Sequence, residues 1–127
     1  MSEIPADLLY TAEHEYVKGD GDVVQIGVTD YAQGELGDVV YVELPKVGAT
    51  FGAHDVFGTI EAVKAVSELF CPVAGEVVEV NGRLDGEPAL VNTDPYGDGW
   101  MIRLRLADAS AREGLMSADA YKKHVGE

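Results

Sequence analysis

A short internal repeat constrains the fold of this 127-residue chain more than any other feature of its sequence. The segment GDVVYV at residues 37–42 recurs as GEVVEV at residues 75–80. Self-similarity of this kind indicates two related supersecondary units. Two β units that each have one apolar face would bury those faces against each other, as a sandwich or a flattened barrel. The sequence therefore predicts a mainly β fold made of two related antiparallel units.

Apolar runs and turn residues predict the other elements, which are mostly strands with short peripheral and C-terminal helices. Strands are expected at residues 15–18, 23–28, 39–44, 56–60, 68–70, 77–80 and 101–106. Asp30 is placed to cap a helix at residues 31–36, Ser110 to cap a brief helix, and Ser117 to cap a helix near the C-terminus. No linker or low-complexity segment divides the chain, so residues 1–127 are predicted to form a single domain.

The composition argues against several classes of partner. The formal net charge is -14, and phosphate neutralisation requires clustered Lys and Arg, so nucleic acid is not expected to bind. No stretch is apolar for long enough to span a membrane, and the N-terminus lacks the basic and apolar regions of a signal peptide. We therefore expect a cytoplasmic protein without a membrane contact. Cys71 is the only cysteine, and its apolar neighbours predict a small buried residue on a strand.

Lys64 lies where the chain must reverse between the strands predicted at residues 56–60 and 68–70. Its neighbours Val63 and Ala65 are apolar or small, so the amine would stand accessible at the tip of a hairpin, which is expected to connect the two β units. Such an arrangement suits a lysine that an enzyme must reach and acylate, as at a biotin or lipoate attachment site. Lysine is also common at exposed turns, so the hairpin alone leaves an unmodified surface residue as the alternative.

No other pattern in the sequence indicates catalysis or metal binding. His14, His54 and His124 lack metal-ligand spacing. There is no Gly-x-Ser-x-Gly nucleophile elbow. The many carboxylates are expected to form a solvated surface rather than an acid–base pair.

Several segments together resemble a known family. EAVKA at residues 61–65 and PVAGEVVEVN at residues 72–81 are similar to the biotinyl/lipoyl carriers. TAEHEYV at residues 11–17, DYAQ with LGDVVYVELP between residues 30 and 45, and PYGDGWM at residues 95–101 narrow the resemblance to the glycine cleavage system H proteins. Biotin carriers typically flank their lysine with methionines. Val63 and Ala65 occupy those positions here, which favours lipoate.

The resemblance implies a lipoyl-domain-like fold and a carrier rather than an enzyme. Lys64 would hold lipoate in an amide bond, and Glu61, Val63 and Ala65 would form the tip that a lipoate ligase or a lipoyl/octanoyl transferase recognises. The arm would carry an aminomethyl group from glycine decarboxylase (the P protein) to the aminomethyltransferase (the T protein). Dihydrolipoyl dehydrogenase (the L protein) would then reoxidise it.

The resemblance also implies an acid that holds the loaded arm in place. Glu15 is the first candidate, Glu13 and Glu68 are further candidates, and a plain solvated acid is the alternative for each. Two other functions stay open on the sequence. The chain could be a lipoyl carrier or lipoate relay for 2-oxoacid dehydrogenase complexes, or an unmodified interaction domain with the same fold.

Overall fold

The computed structural model describes residues 3–19 and 21–126, and its elements are named within those ranges. The strands are β1 (Leu9–Tyr10), β2 (Glu15–Lys18), β3 (Val23–Val28), β4 (Val39–Glu43), β5 (Thr50–Phe51), β6 (Val56–Ala62), β7 (Val66–Phe70), β8 (Gly75–Val80) and β9 (Ile102–Leu106). The helices are α1 (Asp30–Leu36), α2 (Arg83–Gly86), α3 (Leu90–Thr93) and α4 (Ala118–Val125), with a 3₁₀ helix at Ala109–Gly114.

Two antiparallel sheets form the framework of the described chain. One has six strands in the order β1-β2-β3-β9-β8-β5, and the other has three in the order β4-β6-β7. The two copies of the repeat are β4 and β8, so each sheet contains one copy. Val39 and Val42 of β4 and Val77 of β8 are each at most 4% exposed and belong to one core. The sheets therefore pack through their apolar faces, which confirms the predicted mainly β fold.

The hairpin that contains Lys64 does not connect the two units, so that expectation was wrong. β6 and β7 pair with each other inside the three-stranded sheet, from Val56 opposite Phe70 to Glu61 opposite Val66. The chain passes on to β8 of the six-stranded sheet only after β7 has ended. Cys71 lies in this connection rather than on a strand, and its predicted burial is confirmed by an exposure of 0%.

Two of the predicted helix caps are displaced along the chain. Thr29, not Asp30, caps α1 by accepting a hydrogen bond from the Ala32 N–H, and Asp30 becomes the first helical residue. The 3₁₀ helix is capped by Asp108, whose carboxylate accepts from the Ser110 N–H. In both places a neighbouring side chain of the same capping class is the one that faces the free N–H groups. Ser117 caps α4 as predicted.

The shortest elements were not predicted. β1 and β5 have two residues each, and α2 and α3 have four, which is too short for a periodic pattern.

Tyr10 of β1 and Tyr121 of α4 are fully buried, and their rings stack with centroids 4.7 Å apart. The C-terminal helix therefore packs against β1, at the edge of the six-stranded sheet. No helix in the described ranges is both long and apolar enough to cross a membrane.

Candidate functional site

Lys64 lies in the exposed turn between β6 and β7. The N–H of Ala62 donates to the carbonyl of Ala65 at 2.7 Å and closes this turn. Val63 is 75% exposed, and Glu61 and Ala65 are exposed as well. The structure thus brings the residues of the predicted tip together at one end of the three-stranded sheet, with the amine open to an approaching enzyme.

The segment between α1 and β4 braces this turn from the side. The Val63 N–H donates to the Asp38 carbonyl at 3.0 Å. Gly37 ends α1 with a φ of 81°, a conformation that residues with a Cβ rarely adopt. A Cβ at Gly37 would lie 3.5 Å from Cε of Lys64, so the lysine side chain runs over the end of the helix. The position of the lysine is therefore set by α1 as well as by its own hairpin.

Asn92 of α3 holds this bracing segment in place, and the sequence did not single it out. Its Oδ1 accepts from the Val39 N–H at 2.9 Å. Its Nδ2 donates to the Gly37 carbonyl at 2.8 Å and to Oε1 of Gln33 at 2.9 Å. One side chain thereby satisfies backbone groups on both sides of Asp38. Asn92 precedes Thr-Asp-Pro, which is a typical turn pattern, and no local signal distinguishes it from a solvated turn residue.

A cleft of about 330 Å³ lies between α1, β7 and the start of β2. Its apolar lining consists of Val28, Ala32, Leu36, Ile60 and Leu69. Leu36 is the last residue of α1, next to the glycine that contacts the lysine, so the cleft begins beside the hairpin tip. β7 begins at Val66, and strands rise about 3.3 Å per residue, so Leu69 lies about 10 Å along the strand from its tip end. A lysine side chain extended by an eight-carbon acyl chain is long enough to reach it.

Glu15 is the buried acid of this cleft, with an exposure of 2%. Its Oε1 accepts from the Thr11 hydroxyl at 2.9 Å, and its Oε2 accepts from the Phe70 N–H at 3.4 Å. Burial raises the pKa of Glu15 to about 8, because desolvation outweighs the lowering effect of these hydrogen bonds. The charge of Glu13 adds to the rise. The Glu15 carboxyl is therefore mostly protonated at neutral pH.

Of the other two predicted acids, one lines the cleft and the other lies outside it. Glu68 lines the cleft together with Glu15, and so does Glu35 of α1, which was not among the predicted acids. Glu35 follows Ala32 by three residues on the helix, so its position on the cleft-facing side was readable from the helical period. Glu13 lies outside the cleft, with its Oε1 3.3 Å from Nδ1 of His54.

His14 contributes to the cleft wall in a left-handed backbone conformation with a φ of 71°. Its Nδ1 lies 2.8 Å from the Tyr121 hydroxyl, which lies 2.8 Å from the Thr29 hydroxyl. Burial, followed by the nearby His124, lowers the pKa of His14. The ring is thus a neutral hydrogen-bonding group at neutral pH. Within residues 3–19 and 21–126, no three His, Cys, Asp or Glu side chains are grouped to hold a metal ion.

These features together suit a flexible group that is covalently attached to Lys64 and can bind in the neighbouring cleft. An accessible amine stands at a braced tip, an apolar cleft begins beside it, and a buried acid lies farther along the cleft. Such a site can hold an aliphatic chain attached to Lys64, and it offers one buried acid, Glu15, to a cationic group at the end of that chain.

Known proteins identify first the class of fold and then the family. A crystal structure of a glycine cleavage system H protein from Mycobacterium marinum matches the chain with a TM-score of 0.90 and 38% identity. The match covers 98% of this chain and 100% of that one. The glycine cleavage H-protein family model matches residues 8–127.

Curated relatives agree over the full length. The glycine cleavage system H protein of Bacteroides thetaiotaomicron is 54% identical over 121 residues, which covers 95% of this chain and 96% of the relative. The one from Halalkalibacterium halodurans is 55% identical over 127 residues, covering 100% and 99%. The chain belongs to the glycine cleavage H-protein family, as the sequence segments indicated.

Proposed function

We propose that this chain is the lipoyl-carrying shuttle of a glycine cleavage system, with lipoate attached to Lys64. The observation that carries the proposal is the cleft that begins beside Lys64 and contains the buried carboxyl of Glu15. Membership of the H-protein family supports the same conclusion. Neither feature assigns catalysis to the chain itself, and we propose a non-enzymatic carrier.

The residues present fit lipoate in length and in chemistry. Attached lipoate supplies a disulfide that opens to accept an aminomethyl group with its electron pair, and that is re-formed by oxidation. Lys64 is the attachment point of the arm, and the turn braced by Asp38 and Gly37 holds that point exposed at the protein surface. Val28, Leu36 and Ile60 offer apolar walls to the aliphatic part and limit the approach of water.

Glu15 acts as the anchor for the charged end of a loaded arm in this proposal. Its carboxyl is mostly protonated when no cation is present, because burial raises its pKa to about 8. A cationic amine that enters the cleft stabilises the carboxylate, so Glu15 releases its proton as the pair forms. The pairing is therefore strongest when the arm carries a charged cargo and is lost when the arm is empty. Glu35 and Glu68 add negative charge to the same cleft.

The shuttle role requires several partners in turn. We propose glycine decarboxylase, aminomethyltransferase and dihydrolipoyl dehydrogenase as the partners of the reaction cycle. A lipoate ligase or a lipoyl/octanoyl transferase would supply the arm. A tethered arm replaces free diffusion of the cargo by a high effective concentration at each docked partner. The cytoplasmic location expected from the sequence stays a prediction.

The proposal is tested by mass spectrometry after reaction with a bacterial lipoate ligase, ATP and lipoate. One lipoyl group is expected, and peptide mapping is expected to place it on Lys64. Lys64→Arg should keep the fold and take up none, because it removes the acylatable amine. Lysines 18 and 46 serve as internal controls, since both are exposed but neither lies at this tip. A lipoyl group on either of them, or no modification of the wild type, would refute the assignment and leave the unmodified interaction domain.

A further inference from the structure

A patch of exposed apolar side chains surrounds the Lys64 turn. Seven large hydrophobic residues are exposed among those described, and four of them lie at the hairpin end of the three-stranded sheet. These four, called the tip patch below, are Val40 and Tyr41 at 48% exposure each, Val66 at 67% and Val63 at 75%. Apolar residues that are exposed together, rather than scattered singly, indicate an interaction surface.

A β-bulge and the strand register build the tip patch. The register of β4 shifts between Val39 and Tyr41, so Val40 is an extra residue opposite β6. Because of this bulge, two successive apolar residues of β4 are exposed instead of one. Tyr41 pairs with Glu61, which pairs in turn with Val66 on β7. Directly opposite residues share a face of a sheet, so these three form one row across β4, β6 and β7.

At the tip end of the hairpin, the pair that belongs to the tip patch and the pair that lines the arm cleft lie on opposite faces. Ile60 and Ser67, the next pair along β6 and β7, line the cleft. Side chains alternate between faces along a strand, so Glu61 and Val66 point the other way. An arm that lies in the cleft therefore does not cover the tip patch, which is left for another contact.

The border of the tip patch is acidic. Asp38, Glu43 and Glu61 are all exposed at its edge. Lys64 is the only lysine or arginine among residues 47–82, and residues 19–45 contain none. A partner that fits this surface offers an apolar contact bordered by Lys and Arg, since complementary charge favours encounter and register.

We propose that the tip patch is the docking surface for the enzyme that attaches lipoate to Lys64. The inference rests on the proposed function. That enzyme is the partner that must grip the tip before any arm exists, so its contacts have to come from the residues around the lysine. On the docked enzyme the unprotonated Lys64 amine attacks the carbonyl carbon of lipoyl adenylate, the mixed anhydride that lipoate forms with ATP. A C–N bond forms, the C–O bond to the phosphate breaks, AMP leaves, and the amine gives up one proton.

The test compares lipoylation kinetics of surface variants, with intact mass as the readout. Tyr41→Ser and Val66→Ser are each expected to raise KM for the carrier about tenfold and to leave kcat unchanged. Val47→Ser is the matched control, because Val47 is 61% exposed but lies in the loop between β4 and β5. It should behave as wild type. Glu43→Lys should also raise KM and should weaken its dependence on salt.

Binding is measured separately, so that the result does not depend on the chemical step. Calorimetry of Lys64→Arg with the ligase, alone and combined with Tyr41→Ser, is expected to show weaker binding of the double variant. Wild-type KM for Tyr41→Ser and Val66→Ser, with the wild-type chain lipoylated normally, would overturn the docking inference and leave the proposed function intact. Normal lipoylation combined with slower glycine-dependent loading would also overturn it, by assigning the patch to a different partner. Absence of lipoylation in the wild type would instead defeat the proposed function.

Discussion

Two cavities of similar size meet the segment at residues 11–15, and they differ in how far their acidic side chains are buried. The cleft beside α1 measures about 330 Å³ and contains Glu15 at 2% exposure, whereas the second cavity measures about 360 Å³ and is bordered by Glu13 and His54. The Glu13 side chain is 35% exposed and faces a histidine whose side chain is 72% exposed. Volume therefore does not identify the site. Burial of an acid within reach of the Lys64 hairpin does.

The difference arises from what each acid contacts. Glu15 receives hydrogen bonds from the Thr11 hydroxyl and from the Phe70 N–H, so its carboxyl joins the start of β2 to the end of β7. Glu13 interacts with His54 across two loops, where water weakens the pair. Burial and these two hydrogen bonds give Glu15 a fixed place inside the cleft. The second cavity is a surface depression beside an exposed contact between Glu13 and His54.

The broadest effect is expected where the cleft is joined to the lysine, at Asn92, because it changes both stability and modification. Asn92→Ala leaves the Val39 N–H and the Gly37 carbonyl without their partner and should lower the free energy of unfolding by about 2 kcal/mol. The displaced turn should also slow lipoylation several-fold. Urea denaturation and the kinetics of lipoyl attachment measure the two effects.

A matched control separates positioning from general stability. Asn81→Ala removes the same number of hydrogen bonds, since Asn81 donates to the Asp98 and Trp100 carbonyls and accepts from the Arg83 N–H. It should lose a similar free energy of unfolding but keep the wild-type lipoylation rate. Equal slowing by both variants would show that Asn92 acts only through stability, and the cleft would lose its proposed connection to the tip.

Stability as a function of pH should distinguish Glu15 from Glu13. The folded pKa of Glu15 is about 8 against an ordinary 4.5, so the folded state holds this proton more tightly than the unfolded chain does. Its contribution is fully present below about pH 4.5 and is lost as pH rises to about 8. The stability of wild type relative to Glu15→Gln should therefore fall across this range, by at most about 1.4 kcal/mol per pH unit.

Urea denaturation at roughly pH 5, 6, 7 and 8 measures this slope for the wild type, for Glu15→Gln and for Glu13→Gln. Glu13→Gln is the control and should leave the slope in place. A Glu15→Gln variant with the wild-type slope would mean that another group carries the proton, and the contrast between the two acids would have to be redrawn.

The smallest effect is expected on the lifetime of the loaded arm. Glu15→Gln should leave lipoylation unchanged, but it removes the carboxylate that we propose pairs with the cargo amine. A charge-assisted hydrogen bond contributes roughly 1.5–3 kcal/mol, and solvent competition lowers that value, so a several-fold faster decay of the loaded protein is expected. Release of ammonia and formaldehyde from the loaded protein, isolated from its partners, is the measurement. Glu13→Gln should decay like the wild type; identical decay of all three proteins would return Glu15 to a structural role.

The sequence predicted those features that depend on local patterns. The repeat located one strand in each sheet, and the apolar strands on either side of Lys64 located the hairpin. Both follow from side-chain periodicity and from turn residues, which are visible within a few consecutive residues. Ser117 was recognised as a cap for the same reason, while Thr29 was missed because Asp30 beside it carries an equally good capping group.

The features that were missed depend on contacts between distant segments. Asn92 acts on residues 55 and 53 positions earlier, and Glu15 is buried against Phe70, 55 positions later. The sequence next to Asn92 and Glu15 does not indicate these distant partners. The bulge at Val40 is likewise a property of pairing with β6 and not of β4 alone. The sequence could therefore nominate Glu15 but could not show that its carboxyl is buried and protonated.

The hydrogen bond between His14 and Tyr121 determines how late in synthesis the wall of the cleft can form. Its two residues are 107 positions apart, and His14 is part of the cleft wall. The ribosome releases the Lys64 hairpin well before the segment that supports this wall has been synthesised. A growing chain thus exposes Lys64 before the wall of the cleft is complete. The wall is complete only when translation reaches α4, so a chain that stops short of Tyr121 would present Lys64 without the finished cleft.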